Sequence, residues 1–128
     1  MVGIVIVSHS QKLAESVVEL AGLMAADAPM RAAGGMDDGG FGTSYDKIAA
    51  AIDEIYTDDG VIILMDLGSA VMTTELVVED MKDDDKIVEM VDCPIVEGAI
   101  AASVAAAGGS SLEEVIAIAK DAKNVEKF

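Results

Sequence analysis

A histidine and an aspartate each follow a strongly apolar run in this sequence, and as a pair they could carry out nucleophilic chemistry. His9 comes two residues after the run Ile4–Val7, and Asp66 directly follows the run Val61–Met65. Unbroken aliphatic runs of this length are typical of strands that are buried on both faces of a parallel sheet. An aspartate that accepts from one ring N–H leaves the other ring nitrogen free to attack an electrophile such as phosphorus. A lone histidine at such a place could equally do no more than finish a strand-to-helix turn.

Strands and helices alternate along the 128 residues, which predicts a single α/β domain over residues 1–128. We expect three layers, with a sheet of four parallel strands in the order 2-1-3-4, right-handed crossovers and helices on both faces. The predicted strands are Ile4–Val7, Met30–Ala33, Val61–Met65 and Ile87–Val91, and the predicted helices end near Ala26, Tyr56, Met81 and Ala107, with a last helix from Ser110 or Ser111.

The predicted strand order would bring the two side chains together. Strands 1 and 3 are then neighbours, and the topological switch point lies between them, so His9 and Asp66 share the carboxyl edge where ligands bind. Ser8 and Gln11 have the spacing of a capping box, which predicts a helix that starts at Ser8 and holds His9 in its first turn. The free N–H groups of a helix start would stabilise an anion attached to the histidine.

Small polar residues and glycines near these two positions could hold the oxygens of a phosphoryl group through backbone N–H groups or hydroxyls. One of them directly follows His9, three lie in or just after the glycine-rich loop 34–42, and two start the helix after Asp66. The loop lacks the lysine and the spacing of a P-loop, so it could also be a plain connection. Asp66 and the residues after it could likewise only cap a helix. The candidates are Ser10, Gly34, Gly35, Thr43, Gly68 and Ser69.

The formal charge of −16 argues against nucleic acid and anionic membrane surfaces as partners. Cys93 is the only cysteine, so no cysteine cluster can bind a metal, and we expect no metal site and no tightly bound cofactor. No stretch approaches the ~20 apolar residues of a membrane span, and no cleavable leader is recognised at the N-terminus, so we expect a cytoplasmic protein.

Three motifs, Val5–Ser10, Met65–Ala70 and Pro94–Gly98, resemble the DhaM family, the phosphocarrier subunits of bacterial dihydroxyacetone kinases driven by the phosphotransferase system. Those subunits share the mannose-type EIIA fold, usually as homodimers. The resemblance implies that His9 accepts a phosphoryl group from HPr at Nε2, while Asp66 holds its Nδ1–H. The phosphohistidine would then pass the group to ADP bound on DhaL, and DhaK would bind dihydroxyacetone. The chain would thus be a phosphotransferase subunit.

Other functions stay open beside this one. Ser8-His9-Ser10 stands where the mannose transporters typically have Thr-His-Gly, and Leu67–Ala70 replaces their Gly-Gly-Ser-Pro. A mannose-type EIIA for sugar uptake, or for control of a transcription regulator, would use the same histidine. A receiver or flavodoxin-like binding module would need an acidic pair after the first strand or aromatic residues around a flavin. These 128 residues include no HPr-like domain, so we expect HPr to act in trans.

Overall fold

The computed structural model describes residues 1–128 and contains one sheet of four parallel strands in the order β2-β1-β3-β4. The predicted fold and strand order are therefore confirmed. The order follows from the sequence because the two most apolar strands form the centre, where both faces and both edges are covered. The strands are β1 Gly3–Ser8, β2 Met30–Gly34, β3 Val61–Met65 and β4 Val88–Met90.

Five helices cover the two faces of the sheet, and short 3₁₀ turns follow β3 and the last helix. None of the helices combines the length and the apolar character that a membrane crossing requires. Ser44 caps the second helix, and Ser111, not Ser110, caps the last one. The helices are α1 Gln11–Met24, α2 Tyr45–Ile55, α3 Val71–Asp83, α4 Ile95–Ala107 and α5 Leu112–Asp121, and the 3₁₀ turns are Gly68–Ala70 and Ala122–Asn124.

Alternate residues of β1 belong to two separate hydrophobic cores, which explains why the strand is apolar at every position. Ile4 and Ile6 pack with α1, α4 and α5 on one face. Val5 and Val7 pack with α2 and α3 on the other. All four side chains are completely buried. Fully burying each contributes roughly 1.5–3 kcal/mol relative to exposure, so β1 and its neighbour β3 form a rigid base for the loops at their carboxyl ends.

The pairing of β1 with β3 fixes which residues meet at the carboxyl edge. Val7 pairs with Met65, and the backbone N–H of Asp66 donates to the carbonyl of Val7 at 3.2 Å. On the other side of β1, Ser8 pairs with Gly34 of β2. The residues that follow all three strands are thereby brought to one place.

The predicted start of the first helix was wrong. Ser8 is the last residue of β1, Ser10 is the N-cap, and α1 begins at Gln11, so His9 lies before the helix and outside its first turn. The Ser10 hydroxyl accepts from the Leu13 N–H at 3.2 Å. Ser8 ends β1 in place of capping the helix: its hydroxyl donates to Asp66 across the sheet, and its oxygen accepts from the Ser10 N–H. The Gln11 side chain binds Glu15 one turn further on.

Other boundaries also differ from the prediction, the last strand and the third helix among them. β4 pairs only over Val88–Met90 and omits Ile87 and Val91. The third helix was expected to end near Met81 and continues to Asp83. Neither change affects the edge that carries His9.

Candidate functional site

His9 and Asp66 form a hydrogen-bonded pair at the carboxyl edge of the two central strands. Nδ1 of His9 lies 3.1 Å from Oδ1 of Asp66. The histidine side chain is 26% exposed and the aspartate side chain 14%, so solvent or a partner reaches the ring while the carboxylate lies mostly behind it. The two residues sit at equivalent places, just after β1 and just after β3, because the register pairs Val7 with Met65.

Four donors surround the Asp66 carboxylate. Oδ2 accepts from the Ser8 hydroxyl at 2.8 Å and from the backbone N–H of His9 at 3.1 Å. Oδ1 accepts from the Leu67 N–H at 2.7 Å and contacts the histidine ring. Burial alone would raise the pKa of Asp66, but the hydrogen bonds from Ser8, His9 and Leu67 outweigh it and lower that pKa below its ordinary value of 3.8. The carboxylate is thus ionised and fixed in orientation at neutral pH.

The ionised Asp66 decides which ring nitrogen of His9 carries the proton. A carboxylate only accepts hydrogen bonds, so Nδ1 must be the donor in this pair. In the neutral ring Nε2 then has a lone pair. The hydroxyl of Ser69 lies 2.8 Å from Nε2, and it donates to that lone pair. The site therefore presents a nucleophilic nitrogen that is oriented from one end of the ring and covered by a hydroxyl at the other.

The turn after Asp66 offers further donors beside Nε2. The backbone N–H groups of Gly68 and Ser69 donate to no acceptor within the protein. Both belong to the 3₁₀ turn that leads into α3, and both residues are exposed. Unpaired N–H groups at such a start can hold the oxygens of an anion.

The glycine-rich loop is tied to the backbone of His9. The Gly42 N–H donates to the His9 carbonyl at 2.9 Å. Gly42 has φ 139°, and a Cβ there would lie 2.8 Å from the Met36 sulfur, so only glycine fits without displacement of Met36. The loop therefore supports His9 through a hydrogen bond from Gly42 to the histidine's backbone carbonyl.

The remaining predicted phosphoryl ligands lie near the pair but make other contacts. Ser10 caps α1 and donates its N–H to the Ser8 hydroxyl at 3.0 Å. The Gly35 N–H donates to the Ser8 carbonyl, and the Gly34 carbonyl accepts from the Lys47 ammonium at 3.1 Å. Thr43 binds the hydroxyl of Thr73 on α3. None of these four contacts the His9 ring, so Ser69 is the one predicted phosphoryl ligand that does.

Gly34 has a packing role at this edge. A Cβ at Gly34 would lie 2.5 Å from the Ser10 carbonyl oxygen and 2.8 Å from the Gln11 Cα. The chain after His9 can therefore pass directly over β2 only because residue 34 has no side chain.

Sequence reasoning missed Ser8 and Gly42 as parts of the site. Ser8 is fully buried and binds Asp66. Its signal in the sequence was a serine at the end of a buried strand, but the same serine also fitted a helix cap. For Gly42 the loop itself was noted, and nothing in the sequence distinguishes this glycine from its four neighbours of the same type.

A cleft of about 410 Å³ adjoins Asp66 at the ends of β3 and β4, and Cys93 lines it. Burial raises the pKa of the Cys93 thiol to about 11, so the thiol stays uncharged and unreactive at neutral pH. No group of three or more histidine, cysteine, aspartate or glutamate side chains is placed to hold a metal ion.

Comparisons with known proteins assign the chain to a family. Residues 3–116 match the family model EIIA-man, described as PTS system fructose IIA component. The chain is 39% identical over 121 residues to the Escherichia coli K12 "PEP-dependent dihydroxyacetone kinase, phosphoryl donor subunit DhaM", with 91% of this chain and 26% of that protein covered. This chain thus spans about a quarter of that relative's length.

Two further similarities extend over nearly the whole of both chains. The "PTS-dependent dihydroxyacetone kinase, phosphotransferase subunit DhaM" of Lactococcus lactis IL1403 is 37% identical, with 88% of this chain and 89% of that protein covered. A solved structure titled as a protein of unknown function is 34% identical with a TM-score of 0.82, covering 94% of this chain and 93% of that one.

Proposed function

The chain belongs to the EIIA-man family and, within it, to the DhaM proteins, and we propose that it carries a phosphoryl group on His9 from HPr to ADP bound on DhaL. Its relatives are named phosphoryl donor subunits of dihydroxyacetone kinases, so a role in phosphoryl transfer is shared at that level. The observation that supports the finer statement most strongly is the state of the histidine ring. Nδ1 is committed to Asp66, and Nε2 is the nucleophilic atom.

The acceptance step follows from this ring geometry. The Nε2 lone pair attacks the phosphorus of a phosphohistidine on HPr, the new N–P bond forms, and the N–P bond on HPr breaks with its electron pair returning to the donor ring. The His9 ring gains positive charge as Nε2 bonds to phosphorus while Nδ1 keeps its proton. The ionised Asp66, at 3.1 Å from Nδ1, stabilises that charge.

The donation step is the reverse displacement on a different acceptor. A terminal oxygen of the ADP β-phosphate attacks the phosphorus, the N–P bond on His9 breaks, and ATP forms on DhaL while Nε2 regains its lone pair. Dihydroxyacetone on DhaK would receive the phosphoryl group from that nucleotide. Because the N–P bond is high in energy, the protein needs only to position the group and distribute its charge.

Ser69 and Gly68 are the residues best placed to hold the phosphoryl oxygens. Ser69 is exposed, so its hydroxyl can rotate away from Nε2 and donate to an oxygen of the incoming group instead. The free N–H groups of Gly68 and Ser69 lie at the start of one 3₁₀ turn and can bind the others. Ser10, Gly34, Gly35 and Thr43 shape the backbone around His9 in this proposal.

The test follows the phosphoryl group from phosphoenolpyruvate to dihydroxyacetone. The protein is mixed with phosphoenolpyruvate, enzyme I and HPr, and DhaL–ADP and DhaK with dihydroxyacetone are added in a second tube. We expect an acid-labile mass gain of one phosphoryl group, lost on addition of DhaL–ADP with formation of dihydroxyacetone phosphate. A phosphorylated form that DhaL–ADP cannot discharge would contradict the kinase role and favour the sugar-uptake alternative, since the family description names a fructose component of the phosphotransferase system.

A further inference from the structure

We propose that Ser8 is a positioning residue that fixes the Asp66 carboxylate and, through it, the tautomer and orientation of the His9 ring. The inference rests on the carrier function proposed above. It concerns a residue that does not touch the reacting nitrogen and that acts only through Asp66.

The hydroxyl of Ser8 can point in only one direction. Its side chain is completely buried at the end of β1. Its oxygen accepts from the Ser10 N–H at 3.0 Å and lies 2.8 Å from Oδ2 of Asp66. Because the Ser10 N–H donates to the Ser8 oxygen and a carboxylate only accepts, the Ser8 hydroxyl must donate its proton to Asp66. The bond therefore has a fixed direction, from Ser8 to Asp66.

Ser8 is the only side chain other than the histidine ring that binds Asp66. The remaining two donors to the carboxylate are the backbone N–H groups of His9 and Leu67. The two backbone donors lie one on each oxygen, and the Ser8 hydroxyl completes Oδ2 while the histidine ring completes Oδ1. Because each oxygen makes two hydrogen bonds, the carboxylate cannot rotate, and Oδ1 stays directed at Nδ1.

Loss of the hydroxyl would leave two groups incompletely paired. Oδ2 would have one donor fewer, and the Ser10 N–H would lose its acceptor just before α1 begins. The carboxylate could then turn about its Cβ–Cγ bond, and the ring would no longer be confined to the tautomer with hydrogen on Nδ1. Outer partners that orient a metal-binding histidine typically change affinity or activity by about 10- to 100-fold when removed, and we expect an effect of similar size here.

The experiment compares Ser8→Ala with Ser103→Ala in the full chain. Ser103 is also completely buried, and its hydroxyl donates to the Ile100 carbonyl within α4, away from the site. Two quantities are measured: the ring ¹⁵N shifts of His9, which report the tautomer, and the rate of phosphoryl acceptance from HPr. We expect Ser8→Ala to show a mixed tautomer and a rate about 10- to 100-fold lower, and Ser103→Ala to match the wild type in both.

Ser8→Thr keeps the hydroxyl and should restore the single tautomer and most of the rate. If Ser8→Ala does not fold, Ser8→Cys replaces it, since a thiol has nearly the same size but donates weakly and should give a mixed tautomer. An unchanged tautomer and rate in a folded Ser8→Ala or Ser8→Cys protein would overturn the inference. A wild-type protein that accepts no phosphoryl group would refute the carrier function, while the tautomer measurement would still decide the role of Ser8.

Discussion

The Ser69 hydroxyl lies 2.8 Å from Nε2 of His9, at the ring nitrogen that Asp66 does not bind. The histidine is therefore held at both nitrogens, and the nucleophilic one is covered by a side chain that is itself exposed. The same hydroxyl that protects the lone pair in the free protein can donate to a phosphoryl oxygen after transfer. Ser69 therefore makes one contact before transfer, with the Nε2 lone pair, and another after it, with a phosphoryl oxygen. The two contacts can be separated by experiment.

Ser69→Ala should change phosphoryl transfer with little effect on stability. Exposed side chains outside packed regions usually change the free energy of unfolding by less than about 0.5 kcal/mol. Loss of one donor to the bound phosphoryl group should raise its rate of hydrolysis by about 2- to 10-fold, the equivalent of one ordinary hydrogen bond. Decay of the phosphorylated protein, followed by intact mass, measures this. An unchanged half-life would show that Ser69 does not bind the phosphoryl group.

Asp66→Asn should reduce phosphoryl acceptance by about 100-fold or more, because an amide N–H facing Nδ1 would force the proton onto Nε2 and remove the lone pair. The measurement is the initial rate of acceptance from phosphorylated HPr. Asp92→Asn provides a matched control, since Asp92 follows β4 near the same edge and forms no hydrogen bond to His9. Equal rates for Asp66→Asn and wild type would reduce Asp66 to a structural residue.

The contribution of Asp66 to folding should depend on pH in a defined direction. Its pKa in the folded protein is lower than the ordinary 3.8, so folding favours the ionised form. The resulting stabilisation is fully present above the unfolded pKa and is lost as pH falls through the lower folded value. The difference in free energy of unfolding between wild type and Asp66→Asn should thus be constant above about pH 5 and shrink below about pH 4. Denaturant melts at several pH values test this, and a difference that grows on acidification would contradict it.

Gly42→Ala should weaken the support of His9, whereas Gly39→Ala should not. Both glycines have positive φ, so each substitution strains the backbone of the loop. Only at residue 42 would the new Cβ collide with Met36 and disturb the N–H that binds the His9 carbonyl. We expect slower phosphoryl acceptance for Gly42→Ala and a near wild-type rate for Gly39→Ala. Equal losses would assign the effect to loop strain alone.

The central architecture could be predicted because its signals are local and strong. The buried runs around Val5 and Ile63 can only be central strands, and the helices between them require parallel crossovers. From that order the meeting of His9 with Asp66 followed without any coordinates. A hydrogen bond between the two side chains was expected for the same reason, and the family resemblance implied that Nδ1 is the ring nitrogen that makes it.

Other parts of the site depend on contacts between residues far apart in sequence. The spacing of Ser8 to Gln11 predicted a helix cap. The structure instead has the Ser8 hydroxyl donating to Asp66, which follows the neighbouring strand β3. The contact between Ser69 and Nε2 likewise depends on the exact path of the turn after β3. Local patterns cannot decide between a cap and a tertiary hydrogen bond when one residue is suited to both.

The most direct test of the account is the location of the phosphoryl group on the protein. Wild type, His9→Gln and Ser103→Ala are incubated with phosphoenolpyruvate, enzyme I and HPr. Intact mass counts the phosphoryl groups on each protein, and ³¹P and ¹⁵N NMR of the phosphorylated protein then identify the bonded atom. We predict one acid-labile phosphoryl group, bonded to Nε2 of His9 in wild type and Ser103→Ala and absent from a folded His9→Gln protein. Phosphorylation of His9→Gln, or a phosphoryl group on Nδ1, would contradict the account.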